Sequence, residues 1–237
     1  MASDTPIIVV QARLSSQRLP GKVLRAVAGR PMIDYLISRL RQCRLAKGVV
    51  IATSDTASDD PLAAWASEHD VPLFRGSLDN VAGRLLDAAR SCGGKTLVRI
   101  CGDSPLMDPK VIDHMIALYQ ATPCDLATNI QLRTFPKGMS VEVMAVSTLE
   151  EAMPLMTEAG DREHVTPFFY RNAMHYRIVG LTSGQDLGAV QMSVDTAEDF
   201  NLFEAMAARL GSSVDTADMR TVLAIRQSLT EESQIDV

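Results

Sequence analysis

Ile7-Ile8-Val9-Val10-Gln11-Ala12-Arg13-Leu14-Ser15-Ser16-Gln17-Arg18-Leu19-Pro20-Gly21-Lys22 decides the fold class. An apolar run of strand length opens directly into a loop that carries Arg13, Arg18 and Lys22, two serines and a glycine. Such a loop at the carboxyl end of a buried strand is built to hold a polyanion. Its cations attract phosphate charge, while Ser15, Ser16 and free loop amides donate hydrogen bonds. The competing reading is a solvated turn with surface arginines.

Outward from this stretch, apolar runs of strand length alternate with amphipathic segments. Val49–Thr53, Val71–Phe74 and Thr96–Cys101 read as strands. Helices are expected from Pro31 to Arg41, from Asp59-Asp60-Pro61 to Glu68, over Leu78–Ala89 and from Pro109 to Tyr119. This alternation predicts βαβ units, a mostly parallel sheet and helices on both faces. The second half is less regular. Asp125–Asn129, Val141–Val146 and Gln191–Val194 read as strands and His175–Leu181 as extended. Leu149–Met156, His164–Arg171 and Ala197–Leu210 read as helices, and Thr230–Val237 as a frayed polar tail. With no repeat, low-complexity tract or long linker, residues 1–237 are expected to form one domain.

Charge narrows the ligand. The chain holds 23 Lys and Arg against 29 Asp and Glu, yet residues 1–47 hold nine basic residues against two acidic ones. A local positive site on an acidic protein suits a small phosphorylated ligand and speaks against nucleic acid, which wants a basic face. No apolar run is long enough to span a membrane. No secretory signal pattern opens the chain, and Cys43, Cys92, Cys101 and Cys124 form no Cys-x-x-Cys pair. Reduced thiols and a cytoplasmic protein are therefore expected.

Two aspartates follow apolar runs in turn-like contexts. Gly102 allows close backbone approach just before Asp103, and Asp195 follows Met192-Ser193-Val194. Hard oxygen ligands at two strand ends beside a triphosphate fit Mg²⁺. Asp195 also suits a helix N-cap, and Asp103 a turn before Pro105.

The motif Gln11-Ala12-Arg13-x-x-Ser16-x-Arg18-Leu19-Pro20-Gly21-Lys22, with Gly102-Asp103-Ser104-Pro105-Leu106 and Val194-Asp195-Thr196-x-Glu198-Asp199, resembles cytidylyltransferases that activate acidic sugars, such as the acylneuraminate and 3-deoxy-manno-octulosonate enzymes. Arg75-Gly76-Ser77-x-Asp79-Asn80-Val81, Gly138-x-x-Val141-Glu142-Val143 and Arg162-Glu163-His164-Val165-Thr166-Pro167 resemble the spore-coat-polysaccharide branch. The resemblance implies a three-layer α/β/α nucleotide-diphospho-sugar transferase fold. It also implies a homodimer and transfer of CMP from CTP to a sugar with release of pyrophosphate, using Mg²⁺.

It further implies roles for single residues. Arg13, Arg18 and Lys22 hold the triphosphate, and Asp103 and Asp195 carry the metal. Arg13, Lys22 and Asp103 are the catalytic set. Gln11, Ala12, Ser16, Arg75, Asn80 and Gly102 complete the nucleotide site. Glu142, Arg162 and His164 face the sugar. Capping by Ser77 or Asp79 remains open for the 75–84 stretch, as does an outward strand position for Glu142 and a local hydrogen-bonding role for His164. Ser140 stands where similar proteins commonly carry an acid, in a loop expected near the sugar. A glycosyltransferase of the same fold would want an Asp-x-Asp pair, which this chain lacks. A catalytically weak nucleotide-binding subunit is the remaining alternative, and the presence of Arg13, Lys22, Asp103 and Asp195 argues against it.

Overall fold

The computed structural model describes residues 6–235. In chain order the elements are β1 (Ile7–Gln11), β2 (Ala26–Val27), β3 (Arg30–Pro31), α1 (Met32–Leu40), β4 (Gly48–Ser54), α2 (Asp60–Glu68), β5 (Leu73–Gly76), α3 (Val81–Ser91) and β6 (Thr96–Cys101). There follow α4 (Pro109–Ala121), β7 (Leu126–Thr128), β8 (Glu142–Ala145), α5 (Val146–Ala152), α6 (Asp161–His164), α7 (Thr166–Arg171), β9 (Ile178–Gly180), α8 (Ala197–Leu210) and α9 (Met219–Ile235). Seven strands form one sheet in the order β5-β4-β1-β6-β8-β7-β9, and β2 and β3 form a separate small ribbon.

Strand parity explains the layers. Successive side chains of a strand point to opposite faces, so a strand apolar at every position is covered on both sides. In β1, Ile8 and Val10 join a core built with Leu36, Ile112, Phe203 and Met206, from α1, α4 and α8. Ile7 and Val9 join a second core with Leu85, Leu149 and Phe169, from α3, α5 and α7. The result is the expected α/β/α sandwich. The four strands β5, β4, β1 and β6 are parallel, whereas β8 runs antiparallel to both β6 and β7. Arg99 of β6 therefore lies in register with Glu142, the first residue of β8.

Three expectations change. Gln191–Val194 forms no sheet strand and makes only an isolated bridge between Gln191 and Lys137. The helix expected over His164–Arg171 is two short helices broken at Val165, a β-branched residue held at φ 65°. The tail expected to fray from Thr230 belongs to α9 as far as Ile235, with residues 236 and 237 outside the described range.

Candidate active site

The cationic loop is held at both ends. Leu14 donates its amide to Asp59 Oδ1 at 2.7 Å, and Gly21 donates its own to the Leu14 carbonyl at 2.9 Å, which closes the loop on itself. Leu19 and Val23 are buried in the core beneath it. Ser16 Oγ accepts from the Leu19 amide, so this hydroxyl braces the turn. Gly21 takes φ 70°, a left-handed geometry natural to glycine, and turns the chain into a 3-10 turn that begins at Lys22.

Two further segments reach the same point. At the end of β6, Gly102 donates its amide to the Gln11 carbonyl at 2.8 Å, and a Cβ on Gly102 would lie 2.8 Å from that of Ala12. Only glycine admits this approach. The Val194 amide donates to the Asp103 carbonyl at 2.8 Å, tying the 191–195 segment to the turn after β6. The cap of α8 is Thr196, which forms a reciprocal box with Asp199, so the Asp195 carboxylate is not the helix cap. It meets the loop cations instead.

Lys22, one of the three loop cations, is buried in this meeting point. Its side chain is 9% exposed, and Nζ donates to the Val194 carbonyl at 2.6 Å, Asp195 Oδ1 at 3.1 Å and Asp103 Oδ2 at 3.3 Å. Arg18 reaches Asp195 Oδ1 at 3.0 Å from solvent. Burial alone would raise the Asp195 pKa, but the Lys22 ammonium, aided by Arg18 and Gln191, holds it below its ordinary value. The carboxylate is thus ionised at neutral pH.

Around this cluster lies a cavity of about 490 Å³, lined by Gln11, Ala12, Arg13, Ser16, Arg18, Lys22, Gly102 and Asp103. From α6, Glu163 and His164 also line it as a wall, and Arg13 pairs with Glu163 at 3.2 Å. Cys101 also borders the cavity, but burial pushes its thiol up to about 12, so it is no thiolate nucleophile at neutral pH. A larger groove of about 780 Å³ runs between α9 and the 183–190 loop, and none of the loop cations lines it.

Four expected site residues lie elsewhere. Arg75 donates to the Ser54 and Thr56 carbonyls and pairs with Asp60, which clips β5 to the end of β4. Asn80 caps α3 by accepting from the Gly83 amide at 3.0 Å, a role the sequence reading gave to Ser77 or Asp79. Glu142 is buried, and both its carboxylate oxygens are taken, by Arg99 and Tyr170. Arg162 points outward to the Met153 carbonyl. Ser140 accepts from Arg133 at 3.2 Å.

Sequence reasoning passed over Asp59 and Arg99. Asp59 had been absorbed into a helix-start signal. Arg99 left a sign: it is the one charged residue in the apolar strand Thr96–Cys101. Among the described residues no group of three or more His, Cys, Asp or Glu could hold a metal. The donor set on offer is the pair Asp103 and Asp195, two hard oxygens already converging on one cationic centre. That suits Mg²⁺, which takes one or two carboxylates and completes its shell with phosphate and water.

A family model described as cytidylyltransferase matches residues 7–233. The chain belongs to the cytidylyltransferase family. It is thus an enzyme, a nucleotidyltransferase. This cytidylyltransferase is 29% identical to the spore coat polysaccharide biosynthesis protein SpsF of Bacillus subtilis, over 97% of this chain and 98% of that protein. It is 32% identical to the 3-deoxy-manno-octulosonate cytidylyltransferase of Aeromonas hydrophila, over 81% and 79% of the two chains. A solved cytidylyltransferase from Leptospira borgpetersenii superposes with a TM-score of 0.89 at 27% identity, covering 98% of this chain and 96% of that one.

Proposed function

We propose that the cavity beside the 12–22 loop binds CTP, and that the enzyme passes CMP to a sugar with release of pyrophosphate. The observation that carries this reading is the gathering of Arg13, Arg18, Lys22 and Asp103 on one cavity at the carboxyl ends of β1 and β6, with Asp195 paired to Arg18 and Lys22 beside it. Ligands of α/β sheets bind at such strand ends. Here the parallel neighbours of β1 lie on both its sides, which opens the crevice.

A sugar hydroxyl oxygen forms the new bond to the α-phosphorus, the bond from that phosphorus to the bridging oxygen breaks, and pyrophosphate leaves with the electron pair. The hydroxyl proton is released to water. Little covalent work falls to the protein, so catalysis is positioning and charge stabilisation. Arg13, Arg18 and Lys22 hold the phosphates, with Ala12 and Gly102 giving them backbone room. Asp103 and Asp195 would hold Mg²⁺ once Lys22 turns to the triphosphate, and the ion supplies neutralisation of phosphate charge. Glu163 and His164 form the wall that faces the acceptor. Glu142 and Arg162 are left out of the acceptor site, and Arg75 and Asn80 out of the nucleotide site, because none of the four lines the cavity. A CTP-consuming enzyme belongs in the cytoplasm. Self-association, also part of this reading, would cover the exposed Leu132, Leu155 and Met174.

The test is pyrophosphate release with each of the four NTPs against a panel of sugars, sugar acids and sugar phosphates. CTP is expected to be preferred. Equal or faster turnover with UTP or GTP would defeat the nucleotide assignment. Release of a free sugar from a nucleotide sugar would favour the glycosyltransferase alternative.

A further inference from the structure

A hydrogen-bonded chain of largely buried side chains leads from Thr128 of β7 to Gln11, which lines the cavity, and its polarity is fixed at every link. The Ile130 amide donates to Thr128 Oγ1 at 3.1 Å. Thr128 Oγ1 lies 3.0 Å from the Tyr170 hydroxyl, which donates to Glu142 Oε1 at 2.9 Å, so the threonine is the donor to tyrosine. Burial and then the Glu142 charge push the Tyr170 phenol up, which keeps its proton in place. Glu142 Oε2 accepts from Arg99 NH1 at 2.8 Å, and Thr166 Oγ1 from the same nitrogen at 3.3 Å. The remaining face of the guanidinium, Nε and NH2, donates to a single atom, Gln11 Oε1, at 3.2 and 3.0 Å.

This last link determines what the cavity sees. A guanidinium has donors and no acceptor, so the atom of the Gln11 amide that faces it must be the oxygen. The Gln11 nitrogen, which only donates, is then the end left for the cavity that Gln11 lines. An unrestrained glutamine could turn either end to a ligand. Here the choice is made by an arginine that is not among the residues lining the cavity. Glu142 holds the arginine in turn, with Tyr170 and Thr166 from α7, the helix that follows the α6 wall.

We propose that Arg99 is a positioning residue for the nucleotide site: by gripping Gln11 Oε1 it makes Gln11 a dedicated N–H donor to bound CTP. The proposal rests on the reading of the cavity as the CTP site. Gln11 touches the ligand, and Arg99 acts only through it.

Isothermal titration of CTP with Mg²⁺ into the full chain tests this. Gln11→Met removes the donor without adding charge, and the CTP Kd should rise about threefold to tenfold, the worth of one neutral hydrogen bond. Arg99→Lys keeps a cation for Glu142 but gives up the two-pronged grip, and should raise Kd by a similar factor. The double variant should bind no more weakly than Gln11→Met alone, because the arginine's effect passes through the glutamine. A structural role for Arg99 predicts instead a lower Tm with an unchanged Kd, or effects that multiply in the double variant. Either result overturns the proposal. Should Arg99→Lys fail to fold, an unchanged Kd for Gln11→Met overturns it alone, and a raised one supports the Gln11 donor on which it depends. A wild-type protein with no affinity for CTP would overturn the nucleotide reading itself, which no result on the variants can do.

Discussion

The Lys22 ammonium has three oxygen partners from two segments more than eighty residues away, and this changes what its removal should do. Lys22→Met leaves two partly buried carboxylates facing each other and the Val194 carbonyl unpaired. Such orphaned groups cost on the order of 1–3 kcal/mol, so the midpoint of thermal unfolding should drop by several degrees while CTP binding is lost. Added Mg²⁺ should recover part of that drop, by supplying a cation to Asp103 and Asp195. Differential scanning calorimetry with and without Mg²⁺ reads both effects, and no recovery would remove the carboxylate pair as a cation site. Asp195→Asn separates differently. Thr196 and Asp199 cap α8, so the substitution spares the helix, and a loss of pyrophosphate release with a raised Mg²⁺ midpoint is expected. Full activity with an unmoved midpoint would exclude Asp195 from the metal. The sequence made the three loop cations and both aspartates legible, because each follows an apolar run. The burial of Lys22 was not legible, since it depends on the 194–195 segment folding back across the turn after β6.

At the scale of elements, the loop that carries Arg13 is only as fixed as its anchor on Asp59. This carboxylate is fully buried where β4 gives way to α2 and accepts from the Leu14 and Ser54 amides and from both the Thr53 and Ser54 hydroxyls. Burial alone would raise its pKa, but these bonds, led by the Ser54 hydroxyl, hold it below its ordinary value. A depressed carboxylate contributes its full stability above the unfolded value, about pH 4, and loses it as pH falls through the lower folded value. Asp59→Asn should therefore cost about 1–3 kcal/mol at pH 7, and the gap to wild type should narrow below about pH 4. Urea unfolding at the two pH values measures it, and a gap independent of pH would count against the charged anchor. The strands and helices of the first half were legible from periodicity. The break at Val165 was not, for nothing in a valine announces φ 65°, and α9 is so weakly patterned at its polar end that it resembled a tail.

Across the whole molecule, the basic excess of residues 1–47 turned out to serve two purposes. Arg13, Arg18 and Lys22 line the cavity. Arg30 pairs with Asp34 and Asp215, Arg41 donates to the His69 and Asp70 carbonyls, and Arg25 lies over the Phe200 ring. Composition cannot tell a cation that lines a cavity from one that only holds the fold together. Arg39 is the extreme case: fully buried in α1, it donates to the carbonyls of Met107, Val214 and Ala217 at 2.6–2.8 Å. Ending the chain after Leu210 removes two of those acceptors and the helix α9 beyond them. Arg39 then loses two hydrogen bonds, each worth about 1.5–3 kcal/mol to a charged group, and the core loses the packing of α9, so the truncated chain should be insoluble or should unfold well below the intact one. A soluble truncation with the wild-type Tm would refute that role. The partners of Arg39 also bear on how the protein is made. A ribosome releases α1 early, but the last carbonyl that Arg39 needs lies 178 residues further along. Helix α1 therefore cannot settle into its final place until residue 217 has been made, and until then the nascent protein carries an arginine in search of its partners.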